Sequence, residues 1–220
     1  MTETDDVNVP AIAIDGVTGS GKGTVRGIVA KKLGFNQLDS GVLYRALALV
    51  SIRKGISGSQ NLAAAAACLH LKMVDHTVFL DGVDETVIIR SDEMGKAASI
   101  VAQIPEVRAA LRGFQLSMRT LPGLVADGRD QGEIFDTRHR FFLEASAEIR
   151  AKRRVEQFTR MDLSADYETI LAEINRRDES DFTRKVSPLK IHPRAWRIDT
   201  SNINAEETAE IILAHYGKPF

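Results

Sequence analysis

The 220-residue sequence has little cysteine and lacks a long apolar run. Its single cysteine, Cys68, cannot form a disulfide within the chain, and the five histidines show no spacing typical of metal ligands. We therefore expect neither a disulfide framework nor a structural zinc site. The longest apolar stretch, Leu62–Leu69, is too short to span a bilayer, and the polar, acidic first eight residues do not resemble a targeting signal. These absences predict a cytoplasmic protein without a membrane partner.

The sequence also lacks an excess of charge of either sign. It has 29 Lys and Arg against 30 Asp and Glu, a formal net charge of −1. Proteins that bind nucleic acids usually carry a basic excess, so we expect no nucleic-acid partner, and any phosphate site must be local. Of the 29 basic residues, 19 are arginine, whose planar guanidinium matches phosphate and carboxylate geometry better than the lysine ammonium does.

The hydrophobic pattern predicts an α/β fold. Val9–Asp15 is a short apolar run that ends at a cluster of glycines, which is typical of a buried strand, and helical spacing follows over Lys22–Leu33. Leu124–Asp127, Arg140–Glu144 and Trp196–Asp199 are further predicted strands, each followed by a predicted helix. Strand, glycine turn and helix form the start of a βαβ unit, so we predict a parallel sheet with helices on both faces.

A segment of different character interrupts this alternation over about residues 55–104. It contains an alanine-rich helical stretch, which includes Cys68, and then short alternating runs at Leu71–Val74, Thr77–Leu80 and Thr86–Ile89 around the turn dipeptide Asp81-Gly82. The pattern predicts a small antiparallel sheet inserted into the parallel core. We therefore expect a single domain over 1–220 that carries an inserted subdomain.

A glycine-rich motif directly follows the first predicted strand and opens the first predicted helix. It fits the pattern G-x-x-x-x-G-K of phosphate-binding loops (P-loops) and consists of Gly16, Val17, Thr18, Gly19, Ser20, Gly21, Lys22, Gly23 and Thr24. Glycines let backbone N–H groups converge on phosphates, and the helix N-terminus adds partial positive charge. Lys22 is expected to reach the β- and γ-phosphates of a nucleotide. A glycine follows the lysine and the hydroxyl is displaced to Thr24, a form that resembles nucleoside monophosphate kinases more than GTP-binding switches.

Three further motifs lie where helices or strands begin or end. In Asp39-Ser40-Gly41-x-x-Tyr44-Arg45 we expect Ser40 to cap a helix and Arg45 to hold an anion beside its first turn. Asp127-Gly128-Arg129-Asp130 follows a predicted strand at the edge where open α/β sheets bind ligands. The run from Arg176 to Arg184 ends a helical stretch. Taken singly, a helix cap, a tight turn and a solvated helix face would explain these motifs equally well.

Together, the four motifs resemble those of bacterial cytidylate (CMP) kinases, in the same order and over about Ile12 to Tyr216. The inserted subdomain of that family also fits the antiparallel segment, including Ile89-Arg90-Ser91 and Ala97-Ala98-Ser99. The resemblance implies a P-loop NTPase-type fold with an inserted NMP-binding subdomain at about 55–104 and a short lid at about 154–166. It implies phosphoryl transfer from ATP to CMP or dCMP, with Mg²⁺ as cofactor, by a monomer.

The resemblance also implies residue roles. The loop from Gly16 to Thr24 would bind ATP, Thr24 would contact Mg²⁺, and one of the two lid arginines, Arg154 or Arg160, would join the phosphates on closure. The residues expected at the phosphate of the acceptor are Ser40, Arg45 and Arg129, and Arg184 is expected near the phosphates of both nucleotides. Tyr44 is a further residue expected to bind the substrate. Lys22, Arg129 and Arg184 are expected to be catalytic. Those expected at its cytosine are Ser99, Arg108 and Asp130. Those expected at its sugar are Arg177 and Asp181.

The chemistry of the acceptor is consistent with these roles. Cytosine presents an N4 amino donor that suits the Asp130 carboxylate, whereas uracil would turn an oxygen toward it, so we expect a preference for CMP over UMP. The phosphate monoester has a second pKa of about 6 and is mostly deprotonated at neutral pH, so no general base is needed. The barrier lies in bringing two anions together, and a lysine, Mg²⁺ and several arginines lower it.

Two alternatives remain at the level of sequence. One is a kinase for another acceptor, such as UMP, AMP or a small metabolite like shikimate or gluconate, although the large insert argues against the metabolite kinases. The other is a non-enzymatic nucleotide switch. Such switches usually carry an Asn-Lys-x-Asp base reader late in the chain, and the nearest match, Asn36–Asp39, lacks the lysine and lies close to the phosphate loop.

Overall fold

The computed structural model describes residues 9–74, 77–160, 162 and 164–217. The strands are β1 (Ala11–Gly16), β2 (Asn36–Asp39), β3 (Leu71–Val74), β4 (Thr77–Leu80), β5 (Val83–Asp84), β6 (Leu124–Gly128), β7 (His139–Glu144) and β8 (Trp196–Asp199). The helices are α1 (Lys22–Leu33), α2 (Ser40–Lys54), α3 (Ser59–Ala67), α4 (Thr86–Ile89), α5 (Asp92–Val101), α6 (Pro105–Ser117), α7 (Gln131–Ile134), α8 (Ala147–Thr159), α9 (Tyr167–Thr183) and α10 (Ala205–Tyr216). Within these ranges, none of the helices has the length and apolarity needed to cross a bilayer.

The chain divides into two compact units. The first comprises the described residues up to Leu38, Met118–Glu179 and the residues from Lys190 onward, and the second comprises Asp39–Ser117 and Ser180–Leu189. The organisation into one domain with an insert at about 55–104 and a lid at about 154–166 remains a prediction, and Met161 and Leu163 of that lid lie outside the described residues.

A five-stranded sheet with the order β2-β6-β1-β7-β8 forms the first unit's centre. The pairings of β1 with β6, β1 with β7 and β7 with β8 are all parallel. Every residue of β1 is buried, so this strand is covered on both faces, as its continuous apolar run predicts. The α/β fold with a parallel sheet is therefore confirmed.

One face of the sheet packs against the first and last helices. Ile12, Ile14 and Phe141 point to this face and form a core cluster with Val29 of α1 and Ile212 of α10. Helix α1 has the predicted bounds and ends at Gly34, whose φ of 68° is the left-handed conformation that often follows a helix. This packing fixes the start of α1 beside the end of β1, where the glycine motif lies.

A small antiparallel sheet of β3, β4 and β5 lies in the second unit, as predicted. Asp81 and Gly82 join β4 to β5 with φ values of 50° and 81°, which the Asp-Gly pair accommodates in a tight hairpin. The strand predicted at Thr86–Ile89 is wrong, because these residues form the single-turn helix α4. The Asp84 carboxylate accepts hydrogen bonds from the Thr86 backbone N–H (3.0 Å) and hydroxyl (2.6 Å) and so turns the chain at the start of α4.

Candidate functional site

The glycine motif forms a loop between β1 and α1. At Gly16, φ is 151° and an added Cβ would lie 2.0 Å from the backbone oxygen of Leu143 on β7, so only glycine fits there. Gly19 and Gly21 have φ values of 77° and 90°, in the left-handed region, and Gly21 is the N-cap of α1. These conformations curl the backbone around the N-terminus of α1, as a phosphate-binding loop requires.

Lys22 lies folded back over this loop. Its Nζ donates a hydrogen bond of 2.6 Å to the Val17 carbonyl, which also accepts from the Ser20 hydroxyl at 3.0 Å. The lysine is buried, with 7% of its surface exposed, although it carries a charge. The loop thus holds a positive charge against its own backbone, in a position to meet an anion bound by the loop.

Thr18 is held from two sides. Its hydroxyl accepts a hydrogen bond from Nη2 of Arg129, and its carbonyl accepts a 3.0 Å hydrogen bond from Nη1 of Arg150. Arg150 lies on α8, is 4% exposed, and also donates to the Ala145 carbonyl (2.9 Å) and to both carboxylate oxygens of Asp178 (3.1 and 2.5 Å). Arg150 was not predicted from the sequence, because an arginine in a helix rich in charged residues has the pattern of a solvated face.

The predicted turn after β6 lies at the same edge of the sheet as the glycine loop. Gly128 at the end of β6 is in register with Asp15 on β1, so the two strands end side by side, and Arg129 and Asp130 follow directly. Asp127 forms a buried ion pair with Arg26 of α1. Its carboxylate therefore anchors the strand end to the first helix.

The Asp15 carboxyl group is buried between these segments. It accepts hydrogen bonds of 2.8 Å from the backbone N–H groups of Gln131 and Gly132. Burial raises its pKa from 3.8 to about 7, with a further increase from the Asp130 charge, while the two backbone hydrogen bonds and the Lys22 charge act in the opposite direction. The pKa of this group reflects both Lys22 and Asp130.

In the second unit, the predicted helix after β2 begins at Ser40. The prediction that Ser40 caps it is wrong: the N-cap is Asp39, whose Oδ1 accepts a hydrogen bond of 3.3 Å from the Val42 N–H. The cap lies one residue earlier because Asp39 has extended backbone angles, whereas Ser40 is already helical. Ser40 and Tyr44 are buried in the first turns of α2.

The Arg45 guanidinium of α2 lies against the start of α5. Its Nη1 donates to the carbonyls of Ile89 (3.0 Å) and Ser91 (2.7 Å), and a Cβ added at Gly95 would lie 2.9 Å from its Nη2. These contacts fix the direction of the arginine, and the glycine provides the space for it. Ser91 caps α5 by accepting from the Met94 N–H at 3.2 Å.

The other predicted acceptor residues of the second unit are also on helices or directly after one. Ser99 lies on α5, and the Arg108 guanidinium on α6 stands over the Tyr44 ring with its carbon 5.7 Å from the ring centroid. Arg184 follows α9 and pairs with Asp181 at 3.5 Å, while its Nε donates to the Ser187 carbonyl at 2.7 Å. Both side chains of this pair are buried.

The predicted residues are thus distributed over both units. The first unit contains the residues from Gly16 to Thr24 and, beyond them, Arg129, Asp130, Arg154 and Arg177. The second contains Ser40, Tyr44, Arg45, Ser99, Arg108, Asp181 and Arg184. Contacts bring together Thr18 with Arg129, and Tyr44 with Arg108. On α8, Arg154 lies over the Phe158 ring, with 4.6 Å between the guanidinium carbon and the centroid.

A strand, a glycine loop with a buried lysine, and a helix on a parallel sheet define a P-loop nucleotide-binding protein. Comparisons with known proteins narrow this class. The family model described as cytidylate kinase matches residues 12–218. Cytidylate kinases of Pseudomonas aeruginosa (strain UCBPP-PA14) and Azotobacter vinelandii are each 42% identical to this chain, over 94% and 92% of it and 95% and 93% of their own lengths. The chain belongs to the cytidylate kinase family.

A solved structure of a Thermus thermophilus protein has a TM-score of 0.43 and 21% sequence identity, and it covers 95% of this chain and 98% of that one. A TM-score this low supports no conclusion about fold or function.

Proposed function

We propose that this protein transfers the γ-phosphoryl group of ATP to CMP or dCMP and so forms ADP and CDP or dCDP. Family membership supports the reaction class and the cytidylate acceptor. In the structure, the glycine loop before α1 supports the proposal. Lys22, the first residue of α1, is buried, and its ammonium lies 2.6 Å from the Val17 carbonyl of the loop. Backbone N–H groups, a helix N-terminus and a lysine are the groups that stabilise triphosphate oxygens in P-loop enzymes.

The residues present also fit a magnesium ion. Mg²⁺ prefers oxygen ligands, keeps several waters, and is usually bound through substrate phosphates and one or two protein oxygens. Over the described ranges, the side chains form no group of three or more carboxylate, histidine or cysteine residues that could hold a metal by themselves. The exposed hydroxyl of Thr24, in the first turn of α1, would hold the ion beside the phosphates. When bound, the ion would neutralise charge on the β- and γ-phosphate oxygens.

On the acceptor side, the proposal assigns the phosphate of CMP to Ser40, Arg45 and Arg129, with Arg184 near the phosphates of both nucleotides and Tyr44 as a further residue that binds the substrate. It assigns cytosine to Ser99, Arg108 and Asp130, and the sugar to Arg177 and Asp181. The directions of Arg45 and Arg129 support this assignment, because each guanidinium is fixed by hydrogen bonds within its own unit. A fixed guanidinium loses less conformational entropy when it binds a phosphate than a mobile one does.

The chemical step then needs positioning and charge stabilisation more than proton transfer. The attacking oxygen of CMP is already mostly ionised at neutral pH, because the second pKa of a phosphate monoester is about 6. Lys22 and the arginines lower the electrostatic repulsion between the two nucleotides as charge develops. Arg154 or Arg160 is proposed to approach the phosphates when the lid closes and excludes water.

The decisive experiment is a coupled assay of ADP formation with ATP and, in parallel, CMP, dCMP, UMP and AMP. We expect kcat/KM for CMP to exceed that for UMP by about 10- to 100-fold, since a matched base contact contributes about 1–3 kcal/mol of discrimination. Lys22→Ala should reduce kcat for every acceptor, because it removes a charge at the transferred phosphoryl group.

Asp130→Asn is the matched variant for specificity and should lower the preference for CMP over UMP. Equal turnover of CMP and UMP by the wild type would contradict the acceptor assignment, and turnover of neither would contradict the proposed function as a whole.

A further inference from the structure

Asp15 is a buried carboxylate that the reaction described above does not use. It is the penultimate residue of β1, 7% exposed, and directly precedes the glycine loop. Ionised carboxylates are costly to bury, and a pKa raised to about 7 reflects that cost. A position in the strand core would be filled at lower cost by an apolar residue, so the contacts of Asp15 need an explanation.

Those contacts are all directed at the turn that follows β6. Asp15 Oδ1 accepts from the Gln131 N–H and Oδ2 from the Gly132 N–H, each at 2.8 Å. These donors lie at the start of α7, where backbone N–H groups have no partner within the helix. Asp15, on strand β1, therefore accepts the hydrogen bonds of both N–H groups and fixes where this turn begins.

The other side of the turn is held as well. Arg140 on β7 donates from Nε to the Gly132 carbonyl at 2.7 Å. A Cβ added at Gly132 would lie 3.3 Å from Asp15 Oδ2 and 3.4 Å from the Arg140 side chain, so a side chain here would crowd both contacts. Strand β1 through Asp15 and strand β7 through Arg140 therefore both hold this turn, which directly follows Arg129 and Asp130.

We propose that Asp15 is a positioning residue for the acceptor nucleotide, because it holds the turn that presents Asp130 to cytosine and Arg129 to phosphate. This inference rests on the proposed function and adds a residue that positions the turn on which its specificity depends. In an Asp15→Asn variant, one oxygen acceptor remains, but the amide NH₂ faces one of the two backbone N–H donors. The turn loses one hydrogen bond and gains a repulsive donor–donor contact.

The test is the kinetics of Asp15→Asn and Gly132→Ala with CMP, UMP and ATP as variable substrates. In both variants we expect KM for CMP to rise about 10-fold or more and the CMP-over-UMP ratio of kcat/KM to fall by a similar factor, with KM for ATP changed less than about 2-fold. If Asp15 had only a structural role, both variants would instead lower the stability of the protein and raise KM for CMP and KM for ATP by similar factors. Gly132→Ala keeps the carboxylate, so it tests the contact even if Asp15→Asn folds poorly.

Glu85→Gln is the matched control, because Glu85 is also a carboxylate residue with 7% exposure, but pairs with Arg53 in the second unit. It should lower stability while the CMP-over-UMP ratio stays within about 2-fold of wild type. The inference is overturned if Asp15→Asn and Gly132→Ala keep the wild-type ratio, or if Glu85→Gln loses the ratio equally. Failure of the proposed function is a separate result, since the wild type itself would then show no preference for CMP.

Discussion

Asp15 is a single residue whose ionisation state affects the stability of the whole first unit. Its pKa is raised from 3.8 to about 7, chiefly by burial. Because the folded-state pKa lies above the unfolded value, the folded state binds the proton more tightly. The resulting stabilisation is fully present below about pH 4 and is lost as the pH rises through about 7.

The sign of this effect gives a prediction for Asp15→Asn. We expect the free energy of unfolding of the wild type, minus that of the variant, to fall as the pH rises from 4 to 8, by up to about 4 kcal/mol at 1.36 kcal/mol per pKa unit. Urea unfolding of both proteins at several pH values measures it. All other titrating groups are shared and cancel in the difference, so a flat or rising difference would contradict the assignment of the raised pKa to Asp15.

Single residues also differ in how far the sequence predicts them. Lys22 and the loop glycines could be predicted because their spacing is specified by local backbone geometry. Arg150 could not, since its partners Thr18 and Asp178 lie 132 and 28 positions away in the sequence. No local pattern distinguishes an arginine buried by tertiary packing from one on a solvated helix face.

At the scale of elements, the start of helix α2 puts a structural residue next to one for which a functional role is proposed. Asp39 caps the helix and lies 3.8 Å from Arg90, whereas Ser40 is proposed to bind the acceptor phosphate. We expect Asp39→Ala to lower the free energy of unfolding by about 1 kcal/mol, because it leaves the Val42 N–H without its cap. Ser40→Ala should lower it less but raise KM for CMP. Urea unfolding and steady-state kinetics of the two variants measure these effects.

Asp39→Ala and Ser40→Ala control for each other, because the two positions are adjacent at the start of α2. If Ser40→Ala is the more destabilising variant and leaves KM for CMP unchanged, then Ser40 has a structural role and the assignment to the acceptor phosphate is wrong.

Elements with a strong period were predictable, as were most short apolar runs, but one such run, Thr86–Ile89, was not. Helix α1 and strand β1 follow from twelve residues of helical spacing and a buried apolar run. The four residues Thr86–Ile89 are β-branched and favour a strand, yet they form a helical turn. Their burial explains the outcome: Ile89 is fully buried, while Val87 is 85% exposed and Ile88 43% exposed, which is a helical rather than an alternating pattern.

At the scale of the whole molecule, a few charged side chains are buried and connect distant segments of the chain, although the net charge is only −1. Arg150 connects three segments of the first unit: the loop at Thr18, Ala145 directly after β7, and helix α9 at Asp178. An arginine with these partners costs free energy to bury, and that cost is offset only while every hydrogen bond is made. The loop conformation is therefore coupled to the stability of the fold.

A double-mutant cycle on Arg150 and Asp178 tests this coupling. Arg150→Met should lower the free energy of unfolding by about 3–5 kcal/mol, because it leaves the Asp178 carboxylate without its guanidinium in a site only 17% exposed. Asp178→Asn should lower the free energy of unfolding less in the Arg150→Met background than in the wild type. In the double variant the Thr18 and Ala145 carbonyls still lack their donor. Urea unfolding of the two single variants and the double variant gives the coupling energy.

The pair Arg197 and Glu144 is the matched control for this cycle. It makes hydrogen bonds of 3.0 Å from Nη2 to both carboxylate oxygens, but its side chains are 59% and 31% exposed. Solvent screens such a pair, so its coupling energy should be at most about 1 kcal/mol. Arg150→Met should also raise KM for ATP, whereas Arg197→Met should not, since of these two arginines it is Arg150 that donates to the loop backbone at Thr18. Equal coupling energies in the two cycles, with KM for ATP unchanged in both, would mean that the loop is positioned without Arg150.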